Sequence, residues 1–201
     1  LCGWCYGMSP VMQRLERELA GQVDFEVLVG GMATGARALP VRVGFGYIEG
    51  ALPTVENATG VRFGQGFRDL IKEGSYLYDS HPPCLAQVAA RQLAPGQAMA
   101  FAHALQHEFF YNGAPLDAPA TYEAIARATG LDAAALLAAW RSPATEAATQ
   151  AEYRQVAGWG VSGFPTLIWR GADGALGVLA RGYLAYERLA PALRQLVGAP
   201  S

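Results

Sequence analysis

Cysteine is scarce in this chain, with three residues in 201, and that excludes a scaffold stapled by disulfides, which needs several pairs and no leftover thiol. Surplus charge is equally scarce. Fifteen Lys and Arg against seventeen Asp and Glu leave a formal net charge of −2, and no basic cluster is present to track a phosphate backbone, which argues against a nucleic-acid partner. No apolar run approaches the roughly 20 residues that a membrane-spanning helix needs, so no membrane partner is expected. Repeats and low-complexity tracts are absent beyond alanine-rich stretches. What remains is a 52% hydrophobic chain, long enough to bury a substantial core as one domain or as one domain with an insertion.

Two of the three cysteines stand together as Cys2-Gly3-Trp4-Cys5. Met8, Val11, Met12, Leu15 and Leu19 follow at three- and four-residue spacings, with Arg14, Glu16, Arg17 and Glu18 on the other face, which predicts an amphipathic helix beginning at the cysteines. Pro10 is tolerable early in that helix and marks a bend. A thiolate at a helix N-terminus is stabilised by unpaired backbone N–H groups and by the helix dipole, so its pKa falls below that of a free thiol. The thiolate is the form that attacks disulfides. Cys2, ahead of the helix, is therefore the candidate nucleophile, and Cys5, one turn deeper, the candidate resolving thiol. Gly3 and Trp4 between them shape access and tune the thiolate.

Val23 to Val29 reads as a strand that stops at Gly30-Gly31. Residues 30–61, rich in Gly and Pro, are expected to form a loop. Helices are predicted over Phe67–Glu73, Pro83–Leu93, Gln97–Tyr111, Pro119–Thr129 and Asp132–Trp140, and from Ser142-Pro143 to about Ala157. Near the C-terminus, Gly163-Phe164-Pro165-Thr166 precedes an apolar run at Leu167-Ile168-Trp169; Gly171 to Gly174 reads as a turn and Ala175 to Ala180 as the returning strand. A last helix is expected from Tyr186 to Val197. Pro165 cannot donate to a sheet ladder, so it opens its strand or sits on an edge. A cis Phe164–Pro165 bond would do this and leave the Phe164 backbone to pair with an extended substrate, whereas a trans bond would make the segment an ordinary loop.

Each remaining candidate has a plain structural reading. Half of a structural zinc site would need partners for Cys2 and Cys5 from Cys84, His81, His103 and His107, none of which repeats the paired spacing, so no metal is expected. Cys84 opens a helix as a third thiol or, on the plainer reading, a small buried hydrophobe. Asp79 and His81 could reach the cysteine site or, on the plainer reading, serve helix capping and surface exposure. His103 and His107 stand one turn apart but lack the H-E-x-x-H order, and Gly64-Gln65-Gly66 lacks the third glycine of a dinucleotide fingerprint. Trp140, Trp159 and Trp169 read as core or cleft-wall residues.

Cys2-Gly3-Trp4-Cys5-Tyr6-Gly7, the Gly163-Phe164-Pro165-Thr166 loop and the helical stretch between them resemble the DsbA-like branch of the thioredoxin superfamily, and more narrowly its bacterial protein-disulfide isomerases. The resemblance spans nearly the whole chain. It implies an α/β thioredoxin-like core, residues 1–61 and 158–201, interrupted by an all-helical insertion over 62–157. It also implies that Pro165 faces the cysteine pair in cis and that Phe164 offers main-chain hydrogen bonds to a peptide. Such a fold places a strand immediately before the cysteines, which the sequence as numbered from Leu1 has no room for. The expected activity is thiol-disulfide exchange through a Cys2–Cys5 dithiol cycle on cysteine-containing proteins or small thiols, with no metal or organic cofactor, exchange with glutathione left open and the recycling partner unspecified. The narrower resemblance favours a cytoplasmic setting over a periplasmic one. Two other classes stand beside this reading: a glutathione-dependent transferase or isomerase on the same scaffold, whose members typically lack the second cysteine, and a non-catalytic zinc- or peptide-binding module.

Overall fold

Cys2 has extended backbone torsions (φ −152°, ψ 116°) and caps the helix α1, Gly3–Glu18, in the computed structural model, which describes residues 2–198. The apolar stripe read from the sequence is the buried one: Met8 and Leu15 join Leu19 and, from the last helix α10 (Tyr186–Gly198), Leu189 and Leu193 in one cluster. Tyr6 faces the other way, into the main core. The helix that follows the cysteine pair is thus held from two sides.

The 30–61 stretch departs from the expected loop. It contains a 3-10 turn at Gly35–Arg37, a two-residue strand β1 (Leu39–Pro40), a short helix α2 (Val41–Gly44) and a full helix α3 (Ile48–Thr59) that carries Pro53 inside it. Leu52 and Val55 are almost completely buried. Burial of that face outweighs the breaker residues, because tertiary packing supplies most of the stability of a protein helix. Glu56, on the same buried face, accepts from the Phe63 backbone N–H at 2.9 Å and from the Arg68 guanidinium at 2.7 Å.

The expected strand at 23–29 also differs. Among the described residues it has no ladder partner, and its backbone is bonded by side chains instead. Arg91 donates to the Val27 carbonyl, and the Val29 N–H donates to the Glu152 carboxylate, which is itself paired with Arg91. The alternating pattern is nevertheless used, since Val23 and Phe25 pack on the α1–α10 cluster. A groove of about 590 Å³, lined by residues 22–26 and 166–170 among others, separates this segment from the C-terminal hairpin.

The helices of the middle are α4 (Gln65–Glu73), α5 (His81–Leu93), α6 (Ala98–Phe110), α7 (Pro119–Ala128), α8 (Ala133–Trp140) and α9 (Pro143–Gly158), with a second two-residue strand, β2 (Leu77–Tyr78), antiparallel to β1. The predicted caps are in place: Asp132 accepts from the Ala135 N–H at 2.9 Å and Ser142 from the Thr145 N–H at 3.1 Å. Gly64 and Gly66 serve contact between backbones. A Cβ at either position would stand 2.0 Å from the carbonyl oxygen of Tyr111 or Asn112, so these glycines let the start of α4 lie against the end of α6. The main core gathers Phe67, Phe101, Phe109, Phe110 and Tyr122 from these helices, together with Tyr6, Leu52 and Val55 from the first 61 residues. The C-terminal hairpin, β3 (Thr166–Arg170) and β4 (Leu176–Arg181), is antiparallel with an irregularity after Leu167.

Glu152 and Arg91 are 6% and 18% exposed in their side chains, and without Glu152 the mostly buried Arg91 keeps, among the described residues, only the Val27 carbonyl and an exposed Glu26 carboxylate at 3.9 Å. Glu152→Ala is expected to lower stability by about 3 kcal/mol, because Arg91 loses its buried carboxylate partner and the Val29 N–H loses its acceptor; urea unfolding of wild type and variant measures the difference.

Candidate active site

The sulfur of Cys2 lies where the first turn of α1 presents its unpaired N–H groups. The Cys5 N–H donates to Cys2 Sγ at 3.4 Å, and the Cys2 thiol points to the Phe164 carbonyl oxygen, also at 3.4 Å. Both cysteines are free thiols and half-buried. The Cys2 pKa is lowered from 9.0 to about 7, chiefly because its thiolate accepts a hydrogen bond from the Cys5 thiol, with backbone N–H donation from Cys5 and Trp4 adding to this against the opposing effect of burial. Cys5 moves the opposite way. The bond it gives to Cys2, its burial and the neighbouring charge push its pKa well above the ordinary thiol value. The arrangement separates a nucleophile that is charged near neutrality from a partner thiol that keeps its proton.

Opposite the pair, the Phe164–Pro165 peptide bond is cis. Pro165 stands immediately ahead of β3, its carbonyl accepting from the Gly182 N–H at 2.7 Å, and Thr166 donates its hydroxyl to the Gly163 carbonyl at 2.8 Å. The Phe164 ring is seated against Gly30, where a Cβ would come within 2.1 Å of the ring. Gly3 faces the edge of the Phe63 ring, and the Trp4 ring lies 6.4 Å from that of Tyr183. Folding therefore brings Cys2, Cys5 and Phe164 together, with Gly3, Trp4 and Pro165 adjoining them in the chain.

Several residues that shape this region carry no motif. Gly30 and Tyr183 are defined only by what packs on them, and Gln87 of α5 and Gln106 of α6 line a pocket of about 140 Å³ shared with Cys2, Cys5, Cys84 and Phe164. Cys84 is buried beside Val29 and Val88, and burial raises its pKa. His81 belongs to a network next to it: its ring nitrogens meet Glu146 at 2.9 Å and Tyr153 at 3.2 Å, while Asp79 accepts from the His81 N–H at 2.8 Å. Among the described residues, no three His, Cys, Asp or Glu side chains converge as metal ligands. His103 instead meets the Ser9 hydroxyl at 2.8 Å, and His107 stacks on Tyr111.

Comparisons with known proteins bear on the family and the fold. Residues 80–194 match the DSBA-like thioredoxin domain family, and the chain belongs to that family. Its fold is the DsbA-like thioredoxin fold, α/β with a helical insertion. A candidate protein disulfide isomerase from Nitrosomonas europaea superposes with a TM-score of 0.84 at 25% identity, over 97% of this chain and 92% of that one. The cytosolic disulfide reductase DsbM from Pseudomonas aeruginosa superposes with a TM-score of 0.75 at 29% identity, over 98% and 88% of the two chains. The same reductase with GSH gives 0.73 at 28% identity, over 98% and 89%. No curated protein sequence matches the chain.

A lowered Cys2 pKa has two measurable consequences. Alkylation of the reduced protein by iodoacetamide, followed by mass spectrometry at Cys2, should rise through a midpoint near pH 7 and level off above it. A midpoint near the ordinary thiol value would contradict the assignment. Because the folded-state pKa lies below the unfolded one, the Cys2 thiolate stabilises the reduced protein increasingly as pH rises from about 7 towards 9, and that contribution is lost as pH falls through about 7.

Proposed function

We propose that the protein is a thiol-disulfide oxidoreductase of the disulfide isomerase type that cycles Cys2 and Cys5 between dithiol and disulfide. The observation that carries this reading is the Cys2 sulfur itself, held at the mouth of α1 with the Cys5 N–H on one side and the Phe164 carbonyl on the other. The Cys2 thiolate attacks one sulfur of a substrate disulfide, forming a mixed disulfide and releasing the first substrate thiol. Cys5 then loses its proton and attacks Cys2 Sγ. The second substrate thiol leaves, and two electrons have passed from the dithiol to the substrate. The raised pKa of Cys5 gives the order of events, since a thiol that holds its proton cannot compete for the first attack.

Gly3 and Trp4 have the tuning role in this scheme: the absence of a side chain at Gly3 admits the Phe63 ring, and Trp4 with Tyr183 forms a wall near the nucleophile. Phe164 and Pro165 take the substrate-binding role. The carbonyl that meets Cys2 in the free dithiol would be displaced towards substrate when that sulfur is engaged. Cysteine-containing proteins and small thiols are the substrate class, and the P. aeruginosa reductase with GSH supports glutathione as a source of reducing equivalents. That relative, described as cytosolic, also supports a cytoplasmic setting in preference to a periplasmic one, and no helix among the described residues is long and apolar enough to cross a membrane. The division into a core of residues 1–61 and 158–201 and an insertion over 62–157 forms part of the same reading.

Cys2→Ser is expected to reduce insulin-disulfide reduction to the uncatalysed background. Cys5→Ser should retain the first attack and accumulate a mixed disulfide with the substrate, visible as a mass adduct on Cys2. Undiminished turnover by Cys2→Ser would refute the scheme.

A further inference from the structure

Gly30 and Gly31, in the wall of the pocket that Cys2 and Cys5 also line, each give their side-chain space to an aromatic ring. At position 30 a Cβ would stand 2.1 Å from the Phe164 ring. At position 31 it would stand 2.9 Å from the ring of Tyr153, with two further ring atoms at 3.0 Å. Gly31 also has φ +60°, a left-handed conformation in which a side chain is strained. One bare stretch of backbone therefore separates a ring of the cis-proline loop from a ring of α9. Phe164 in turn holds its carbonyl oxygen 3.4 Å from the Cys2 sulfur. A continuous series of contacts thus runs from α9, a helix outside both sequence motifs, to the Cys2 thiol.

Tyr153 is itself anchored. Its hydroxyl meets His81 Nδ1 at 3.2 Å and is hydrogen-bonded to the Cys84 thiol, while the Gly31 N–H donates to the same sulfur. His81 is fixed in turn by Glu146 at 2.9 Å. The Gly31 carbonyl accepts from the Arg37 guanidinium at 2.9 Å and from the Thr34 hydroxyl at 3.4 Å. The Gly30-Gly31 backbone is thus pinned through its polar atoms and spaced by two rings, and close packing of this kind transmits a change in volume to its neighbours. We propose that Tyr153 is a positioning residue for the dithiol: its ring, acting through Gly31 and Gly30, sets where Phe164 holds its carbonyl against Cys2. This rests on the redox reading of Cys2, and it gives α9 a part in the exchange. The Phe164 carbonyl accepts only from the protonated sulfur, and its negative end opposes the thiolate. Drawing it away therefore favours the thiolate.

Alkylation of the reduced protein by iodoacetamide across a pH series, read by mass spectrometry at Cys2, tests the assignment in the wild type and in variants of Tyr153. In Tyr153→Ala the Gly30-Gly31 backbone and the Phe164 ring settle into the vacated space. The Cys2 midpoint is expected to fall by about 0.5–1 pH unit, the shift worth one hydrogen bond lost from the thiol form. Tyr153→Phe keeps the ring and should return the midpoint to the wild-type value. Tyr153→Leu keeps apolar bulk without the ring and should give a smaller fall, which carries the test where the alanine variant fails to fold. Tyr153 is neutral throughout, because burial holds its pKa far above the range titrated, and its ionisable neighbours Glu146, Asp79, His81 and Cys84 are retained in every variant. A shift at Cys2 therefore reports position and not a charge removed. A midpoint unchanged or raised in Tyr153→Ala would overturn the role, as would a fall of equal size in Tyr153→Phe, which would transfer it from the ring to the hydroxyl. Insulin reduction by the wild-type protein, measured alongside, separates this from a failure of the parent reading. Absent turnover with the shifts in place refutes the redox scheme, whereas turnover without the shifts refutes the role of Tyr153 alone.

Discussion

The arrangement of this protein depends on stabilising a negative sulfur at the first turn of a helix. Cys2 caps α1 with its own sulfur, so the group that satisfies the helix end is also the group whose charge the helix end stabilises. The consequence extends to Cys5, whose N–H and thiol both point towards Cys2 and whose own ionisation is suppressed in return. One geometric fact thereby assigns unequal roles to two chemically identical side chains.

That helix must be held rigidly for such weak, 3.4 Å contacts to matter. It is gripped on one face by α10 and the C-terminal hairpin and on the other by the aromatic core, where the Tyr6 ring stacks on Phe110 and tilts against Phe63. The Tyr6 hydroxyl adds a hydrogen bond to the Arg62 carbonyl at 3.0 Å. The aromatic core takes residues from both sides of position 62, so the redox helix and the helical block share one packed interior.

The parts of the fold legible from the sequence are those whose causes are local. Asp132 and Ser142 announce helix starts through their own side chains, and the period of Met8, Leu15 and Leu19 marks a face whatever it packs against. Residues 30–61 were illegible for the opposite reason: α3 carries Pro53 and is bounded by Gly60, and only the burial of Leu52 and Val55 in a core supplied from elsewhere makes it a helix. The 23–29 run shows alternation that serves packing, while its backbone partners are Arg91 and Glu152, far along the chain and unmarked by any pattern. At the site, Cys2 and Cys5 were visible as a spaced pair. Pro165 marks a strand opening through its missing N–H, and with Phe164 it is set opposite the cysteines only by the resemblance of two distant motifs. Gly30, Tyr183, Gln87 and Gln106 sit in unremarkable local sequence and acquire meaning only from what folding sets beside them.

Gly30 carries this furthest. The Phe164 ring occupies the space a side chain at position 30 would fill, and the carbonyl of that same phenylalanine meets the Cys2 sulfur. A single missing carbon therefore sets the distance between two parts of the chain that never touch in sequence. Across descendants of this protein, positions 30 and 164 would be free to drift only in step, the one shrinking as the other grows, for as long as the sulfur keeps its neighbour.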